Sequence, residues 1–372
     1  QDILSFVGGQ GWLLCFAIVP MKNGLLDVDT RILHPHSPAF FSLWSLPYGY
    51  NPMAKTPQLW LDVLDATFNS DAERKLLQEW CGYLLTGDIS LEKFMWFLGQ
   101  PASGKGTIVT VIQQLVSMRN IAALDIYNLD KTFSLDGVLG KSLIIFNEGQ
   151  DSRKRDFSGP IVSRINQITG RDMTRIEEKQ KGSVSLVLPT KIMGVSNDMP
   201  VFRDASNAIN RRLMVLSFDN PVPEDDRDQN LKARLIADEN LPGIFNWALE
   251  GLIRLRKQRQ FTIPDSSREI QHELAVAGSP VKAFVNECLI LDSDAWTSTT
   301  DLYASYSRFS HQHDLFAVDK GIFAKNLRSA VKVHPKQRGP KGNQVRGYQG
   351  VSIKPEYVVK DQVDLMLADA SK

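Results

Sequence analysis

The sequence predicts an α/β protein centred on a phosphate-binding loop, with strands and helices before it and a basic helix-and-hairpin region after it. Three observations carry this expectation. Gly99-Gln100-Pro101-Ala102-Ser103-Gly104-Lys105-Gly106-Thr107 stands between a strand-like apolar run, Phe94–Leu98, and a helix-like one, Ile108–Val116. Strand-like and helix-like segments alternate through 92–220. From Lys320 to Arg346 the chain carries eight basic residues and no acid.

In chain order, residues 1–55 read as short strands and turns. Asn23-Gly24 is a hairpin signal, and Pro35, Pro38 and Pro47 punctuate the stretch. Residues 56–90 read as two helices. Thr56-Pro57 opens the first, and Ser70-x-x-Glu73 is a capping box for the second, where Leu76, Leu77, Trp80, Leu84 and Leu85 keep helical spacing. Residues 91–260 form the α/β part and end in a helical stretch from 225. A Pro/Ser-rich break at 261–267 suggests a linker. Residues 261–355 read as helices followed by a hairpin, and 356–372 as a tail that either docks as a helix or stays loose.

At 372 residues, two or three domains are expected. The net charge of +1 gives no global basic signature, so any nucleic-acid contact must be local. Cys15, Cys81 and Cys288 are far apart, which argues against a disulfide framework or a zinc cluster and fits a reducing cytoplasm. The pairs His34/His36 and His311/His313 have no cysteine or third ligand beside them, so a metal centre is not expected there. The longest apolar run, Trp12 to Pro20, is too short to span a bilayer, so no membrane partner is expected. The chain opens at Gln1 with no methionine or basic leader and reads as a portion of something longer.

The chemistry starts at the loop. Its glycines let the backbone wrap an anion, and the amides and dipole of the following helix attract phosphate. Lys105 would sit on the outer phosphates of ATP, and the hydroxyl of Thr107 would hold Mg²⁺. In the commoner form that hydroxyl directly follows the lysine, where Gly106 stands here. Three later segments extend the pattern. Ser142–Phe146 is a buried-strand run ending in Asn147-Glu148. Asn147 could hold a Mg²⁺-bound water, and Glu148 could activate the attacking water or be a solvated strand-end carboxylate. Lys191–Ser196 is another strand run, ending in Asn197, whose amide could bridge the γ-phosphate and water or form a turn with Asp198. Arg211-Arg212 precedes a third. Either arginine could reach a neighbouring subunit's γ-phosphate, or both could be surface charges.

This order of motifs resembles superfamily 3 helicases, the AAA+-like motors of viruses, phages and plasmids. It is most similar to the phage and plasmid primase-helicases related to the poxvirus primase-helicase. Asn23–Asp27, His34–Pro38, Tyr48–Ala54, Leu77–Thr86 and Ile168–Lys181 resemble further parts of that pattern. The resemblance implies an ATP-dependent DNA helicase that closes a homo-oligomeric ring, usually a hexamer, and moves 3′ to 5′ on single-stranded or forked DNA. It also implies a primase or primase-polymerase domain N-terminal to this chain, and a phage or mobile-element protein acting in the host cytoplasm.

Two regions are candidates for gripping DNA. Arg171, Arg175, Lys179 and Lys181 fit a hairpin turning near Gly182, which in the related helicases tracks one strand; mixed with Asp172, Glu177 and Glu178, they also fit a solvated surface. The basic run holds Lys332, Lys336, Arg338, Lys341 and Arg346 behind a helix pattern, Ile322–Val331, and before a strand, Gly347–Ile353. That resembles a winged helix, a recognition-type helix followed by a basic wing, although a solvated loop has the same composition. Two other functions share these motifs. One is an initiator or loader ATPase that binds DNA without unwinding it. The other is a small-molecule kinase, since adenylate kinases also read Gly-Lys-Gly-Thr.

Overall fold

The computed structural model describes residues 17–146, 156–157, 159–178, 182–198, 200–204, 208–313, 315, 317–340 and 342–359. The chain forms two compact units, Gln1–Pro200 with Arg211–Gln271, and Val201–Asn210 with His272–Lys372.

The first unit opens with an antiparallel sheet of β1 (Ile18–Met21), β2 (Gly24–Asp27) and β3 (Ile32–His34). The Asn23-Gly24 turn joins β1 and β2 as the sequence predicts. The Asn23 amide also staples the sheet to the chain ahead: Nδ2 donates to the Tyr50 carbonyl and Oδ1 accepts from the Tyr50 amide, both at 2.9 Å. Helices α1 (Gln58–Thr67) and α2 (Asp71–Leu84) follow. The expected capping box is present. Ser70 Oγ accepts from the Glu73 amide at 3.2 Å, and Glu73 Oε2 accepts from the Ser70 amide at 3.0 Å. This fixes where α2 starts, and so which face, with Leu76, Leu77 and Trp80, enters the core.

The central sheet is built from β4 (Phe94–Gly99), β5 (Ile121–Leu124), β6 (Leu143–Phe146), β9 (Lys191–Ser196) and β10 (Leu213–Phe218), with helix α3 (Lys105–Val116) after β4. All pairings are parallel, and the order across the sheet is β10-β4-β9-β6-β5. These strands read as nearly unbroken apolar runs because parallel sheets are covered on both faces. Strand β9 enters between β4 and β6, so Ser196 pairs with Leu98 on one side and Gly194 with Phe146 on the other. Helix α4 (Gly159–Thr169) and the antiparallel pair β7 (Thr174–Glu178) and β8 (Gly182–Leu186) lie between β6 and β9 in sequence.

After β10 come α5 (Leu231–Leu235) and α6 (Leu241–Gln258). The stretch 261–267 is docked rather than slack. Phe261 is buried against Trp80 and Tyr83, and a helix spans Asp265–Gly278. A fully buried carboxylate, Glu79, holds this region. It accepts from Arg254 Nε at 2.7 Å, Thr262 N at 2.7 Å, Thr262 Oγ1 at 2.8 Å and Gln258 Nε2 at 2.9 Å.

The second unit runs α7 (Pro280–Cys288), β11 (Leu289–Ser298), α8 (Thr299–Gln312), α9 (Lys320–Ala330), β12 (His334–Arg338) and β13 (Val345–Ile353), with the strands antiparallel in the order β11-β13-β12. Its core gathers Phe284, Tyr306, Phe309, Phe323 and Leu327. Strand β12 occupies part of what the sequence suggested was loop, and β11 was invisible there. Half of β11 is exposed, and its register slips between Asp292 and Trp296, so no apolar alternation marks it.

Candidate nucleotide site

The loop Gly99–Gly104 bends through two left-handed residues, Ala102 (φ 61°) and Gly104 (φ 87°), the latter capping α3. Glycine adopts this conformation without strain, and the bend turns the α3 amides into the loop. Lys105 is buried, and its ammonium donates to the carbonyls of Gly99 and of Gln100 (2.7 Å). Ser103 Oγ also donates to the Gln100 carbonyl, at 2.7 Å. The loop therefore folds around its own lysine.

Asn197 directly follows β9, and the Ser196–Leu98 pairing sets it beside the loop. Trp96 Nε1 donates to Ser196 Oγ at 2.8 Å, and that hydroxyl donates to the Asp198 carbonyl at 2.7 Å, which fixes the turn bearing Asn197. A cleft of about 480 Å³ is lined by Pro101–Thr107, Asn197 and, from outside the motifs, Val63, Thr67, Val222, Leu231 and Lys232 among others. Ligands of open parallel sheets bind outside the C-terminal strand ends, which is where this cleft lies. Thr107 also lines the cleft. Asn147 and Glu148 follow Phe146, the last residue of β6, and lie outside the described residues, as do Lys179, Lys181 and Lys341. Among the described residues, no cluster of three or more His, Cys, Asp or Glu side chains could hold a metal ion.

Arg211 and Arg212 stand at the other end of the same strands. Leu213 pairs with Phe94 and Phe218 with Gly99, so the arginines are separated from the loop by the length of β4, about 17 Å at ~3.3 Å per residue. They do not join the cleft of their own chain. Their environments differ. Arg212 Nη2 contacts Glu92 Oε2 at 3.2 Å and is only 21% exposed, whereas Arg211 is exposed and its carbonyl accepts from Lys93. Burial, followed by the Arg212 charge, lowers the pKa of Lys93.

Arg171 belongs to this charge cluster rather than to the hairpin. Its Nε lies 3.6 Å from Glu92 Oε1, and its left-handed backbone (φ 61°) follows the end of α4. Arg175 is on β7 and pairs with Glu177 at 3.2 Å. In the second unit, Lys332, Lys336, Arg338 and Arg346 are all exposed. Lys336 Nζ donates to Gln349 Oε1 at 2.6 Å, and the Arg338 guanidinium lies 5.3 Å from the centre of the Trp296 ring. Sequence reasoning missed Glu92, Trp296 and Lys232. None has a spacing signature, because each is brought to its partners only by strand or helix packing.

Two family models match the chain. One, described as D5 N terminal like, covers residues 17–69, and one described as a family of unknown function (DUF5906) covers 97–212, from the end of β4 to Arg212. The chain is 28% identical over 92 residues to the Initiator protein NS1 of Human parvovirus B19, isolate AU and strain HV alike. That match covers 25% of this chain and 12% of the relative. Among solved structures, the A form apo structure of the NrS-1 C terminal region matches with a TM-score of 0.49 and 12% identity, covering 82% of this chain and 79% of that one. A second A form apo structure, of the NrS-1 C terminal region 305–718, matches with a TM-score of 0.48 and 13% identity, over 81% of this chain and 77% of that one. By sequence this chain is thus similar to D5 N terminal like proteins over 17–69, to DUF5906 over 97–212, and over 92 residues to a parvovirus initiator protein.

Proposed function

We propose that this chain is the ATP-driven motor of a DNA helicase, acting as a ring of identical subunits in the replication of a phage or mobile element. The observation that carries the reading is the insertion of β9 between β4 and β6, which brings Asn197 into one cleft with the phosphate loop. This placement supports an AAA+-like ATPase in which Asn197 senses the γ-phosphate. The second unit supports a DNA-binding role, since its element order and β11-β13-β12 sheet fit a winged helix with a basic wing.

In this reading the α3 amides and Lys105 bind the outer phosphates of ATP. Thr107, Asn147 and Glu148 would hold Mg²⁺, which would neutralise charge on the phosphates. Glu148 orients the attacking water, and Asn197 holds the γ-phosphate against it. Arg211, exposed and remote from its own cleft, serves the neighbour's γ-phosphate, while Arg212 anchors the strand end through Glu92. Because each site needs an arginine from next door, hydrolysis requires a closed assembly. Each base-pair step costs about 1.4 kcal/mol of stacking to open, so unwinding needs repeated hydrolysis.

The test is strand displacement on forked DNA bearing a 3′ or a 5′ tail, with ATP and Mg²⁺, beside Lys105→Ala. Unwinding lost in the variant supports the motor, and the preferred tail sets polarity. The similarity to a protein named an initiator favours a second reading, an initiator or loader. DNA binding with hydrolysis but no displacement would select it, and phosphoryl transfer to a nucleotide would select a kinase.

A further inference from the structure

We propose that Lys232, on α5, is a second phosphate-binding lysine of the nucleotide site, contributed by the same chain. The inference rests on the nucleotide reading of the loop and adds a residue that no motif contains. Lys232 lines the cleft shared by Ser103, Gly104, Thr107 and Asn197. Its Nζ lies 3.4 Å from where a Cβ on Gly106 would stand. In the common form of the loop, the residue at position 106 carries a hydroxyl aimed at the phosphate-bound metal. Here that side chain is missing, and a cation from α5 lies at contact distance from where it would begin.

The other charges on the cleft wall do not take this place. Asp228 accepts from Arg234 Nη1 at 2.7 Å and from the Asn230 amide at 2.8 Å, so its carboxylate is tied to its own turn. Arg227 Nε donates to the Val222 carbonyl at 3.1 Å. Asp226 is exposed on the same wall. Lys105 is held among the loop carbonyls. An ammonium is a compact point charge on a flexible stem, suited to following phosphate oxygens rather than clamping a planar group. Lys105 and Lys232 both line the cleft at the start of α3, whose positive end adds to their charge, and together they suit a di- or triphosphate tail. A nucleoside monophosphate does not extend far enough along the tail to use both.

The experiment is a fluorescence titration of the full chain with a fluorescent ATP derivative, competed by ATP, ADP or AMP, with Mg²⁺ and with EDTA. Wild type, Lys232→Ala, Lys232→Arg and Lys105→Ala are compared. Lys232→Ala is expected to weaken ATP and ADP about tenfold, the scale of one charge-assisted contact, and AMP less than twofold. Lys232→Arg should recover most of the loss, and thermal unfolding of Lys232→Ala without nucleotide should match wild type. Wild-type ATP affinity in Lys232→Ala, with affinity lost in Lys105→Ala, overturns the role of Lys232 and leaves the nucleotide reading standing. Equal losses for AMP and ATP also overturn it, because the residue would then be shaping the cleft. If wild type and Lys105→Ala bind ATP alike, the nucleotide reading fails and takes this inference with it.

Discussion

Gly194→Ala probes the contact that holds β9 against β4 and therefore Asn197 beside the phosphate loop. A methyl at this position would lie 2.2 Å from Cε3 and 2.3 Å from Cζ3 of Trp96, and 2.6 Å from Cδ2. Ordinary contact needs more than ~3.4 Å, so the ring must withdraw by about 1 Å or the strands must part. Neither is easy. Trp96 is 3% exposed, packs 6.0 Å from the Phe157 ring centre, and donates its indole N–H to Ser196. Overpacking of this kind costs about 1–3 kcal/mol, and losing the indole hydrogen bond adds about 1 kcal/mol. The expected total of about 2–4 kcal/mol corresponds to a fall in melting temperature of about 5–15 °C for a unit of this size. Calorimetry or circular dichroism measures it. Gly159→Ala is the control, since a Cβ there meets nothing within 4 Å. Trp96→Leu combined with Gly194→Ala should cost less than the two changes summed. A Gly194→Ala melt within 2 °C of wild type would refute the reasoning, because it would mean the sheet yields where it is described as closely packed.

Three further outcomes follow from the described contacts. Arg212→Ala should lower stability by about 1 kcal/mol through loss of its partly buried pair with Glu92, while Arg211→Ala should leave melting unchanged and remove ATP hydrolysis by the assembled protein; melting curves and steady-state ATPase assays separate the two. Lys191 is enclosed by the Tyr83 ring, the Thr86 carbonyl and nearby Asp88, and burial lowers its pKa to about 7. Between about pH 7 and the ordinary lysine range the unfolded chain binds the extra proton, so this group makes stability rise with pH over that window and is most unfavourable below it. Lys191→Met should therefore unfold at higher urea than wild type at pH 6.5, with the gap closing by pH 10. Glu79→Ala strands Arg254, Gln258 and Thr262 and should cost about 3–5 kcal/mol in urea titration, more than any single surface ion pair.

Much of the local structure was legible in the residues. The capping box at Ser70 and Glu73, the Asn23-Gly24 turn and the strand-loop-helix around Lys105 each depend on neighbours within a few positions, and short-range chemistry fixes them. The pairing of Asn197 with the loop was legible only as motif order, because it depends on β9 threading between two strands far from it in sequence. The arginine pair could not be divided from sequence. Glu92, which contacts Arg212 and so makes the surroundings of the two arginines differ, lies more than a hundred residues upstream. Lys191 looked like an ordinary charged residue at a strand start, and only packing against Tyr83 reveals its burial. Strand β11 escaped because sheet pairing alone, without an apolar face, keeps it extended.

The hold that Lys105 keeps on the Gly99 and Gln100 carbonyls makes the loop a clasp fastened from within. On the nucleotide reading proposed above, an arriving phosphate would have to draw the ammonium away from two existing bonds, so part of the gain would be returned at once, and refastening of the clasp would assist departure of the spent nucleotide. The same hold means that Lys105→Ala loosens the loop even when nothing is bound. A drop in melting temperature without nucleotide would then register the clasp, and only the further loss of nucleotide-induced stabilisation would register the phosphate.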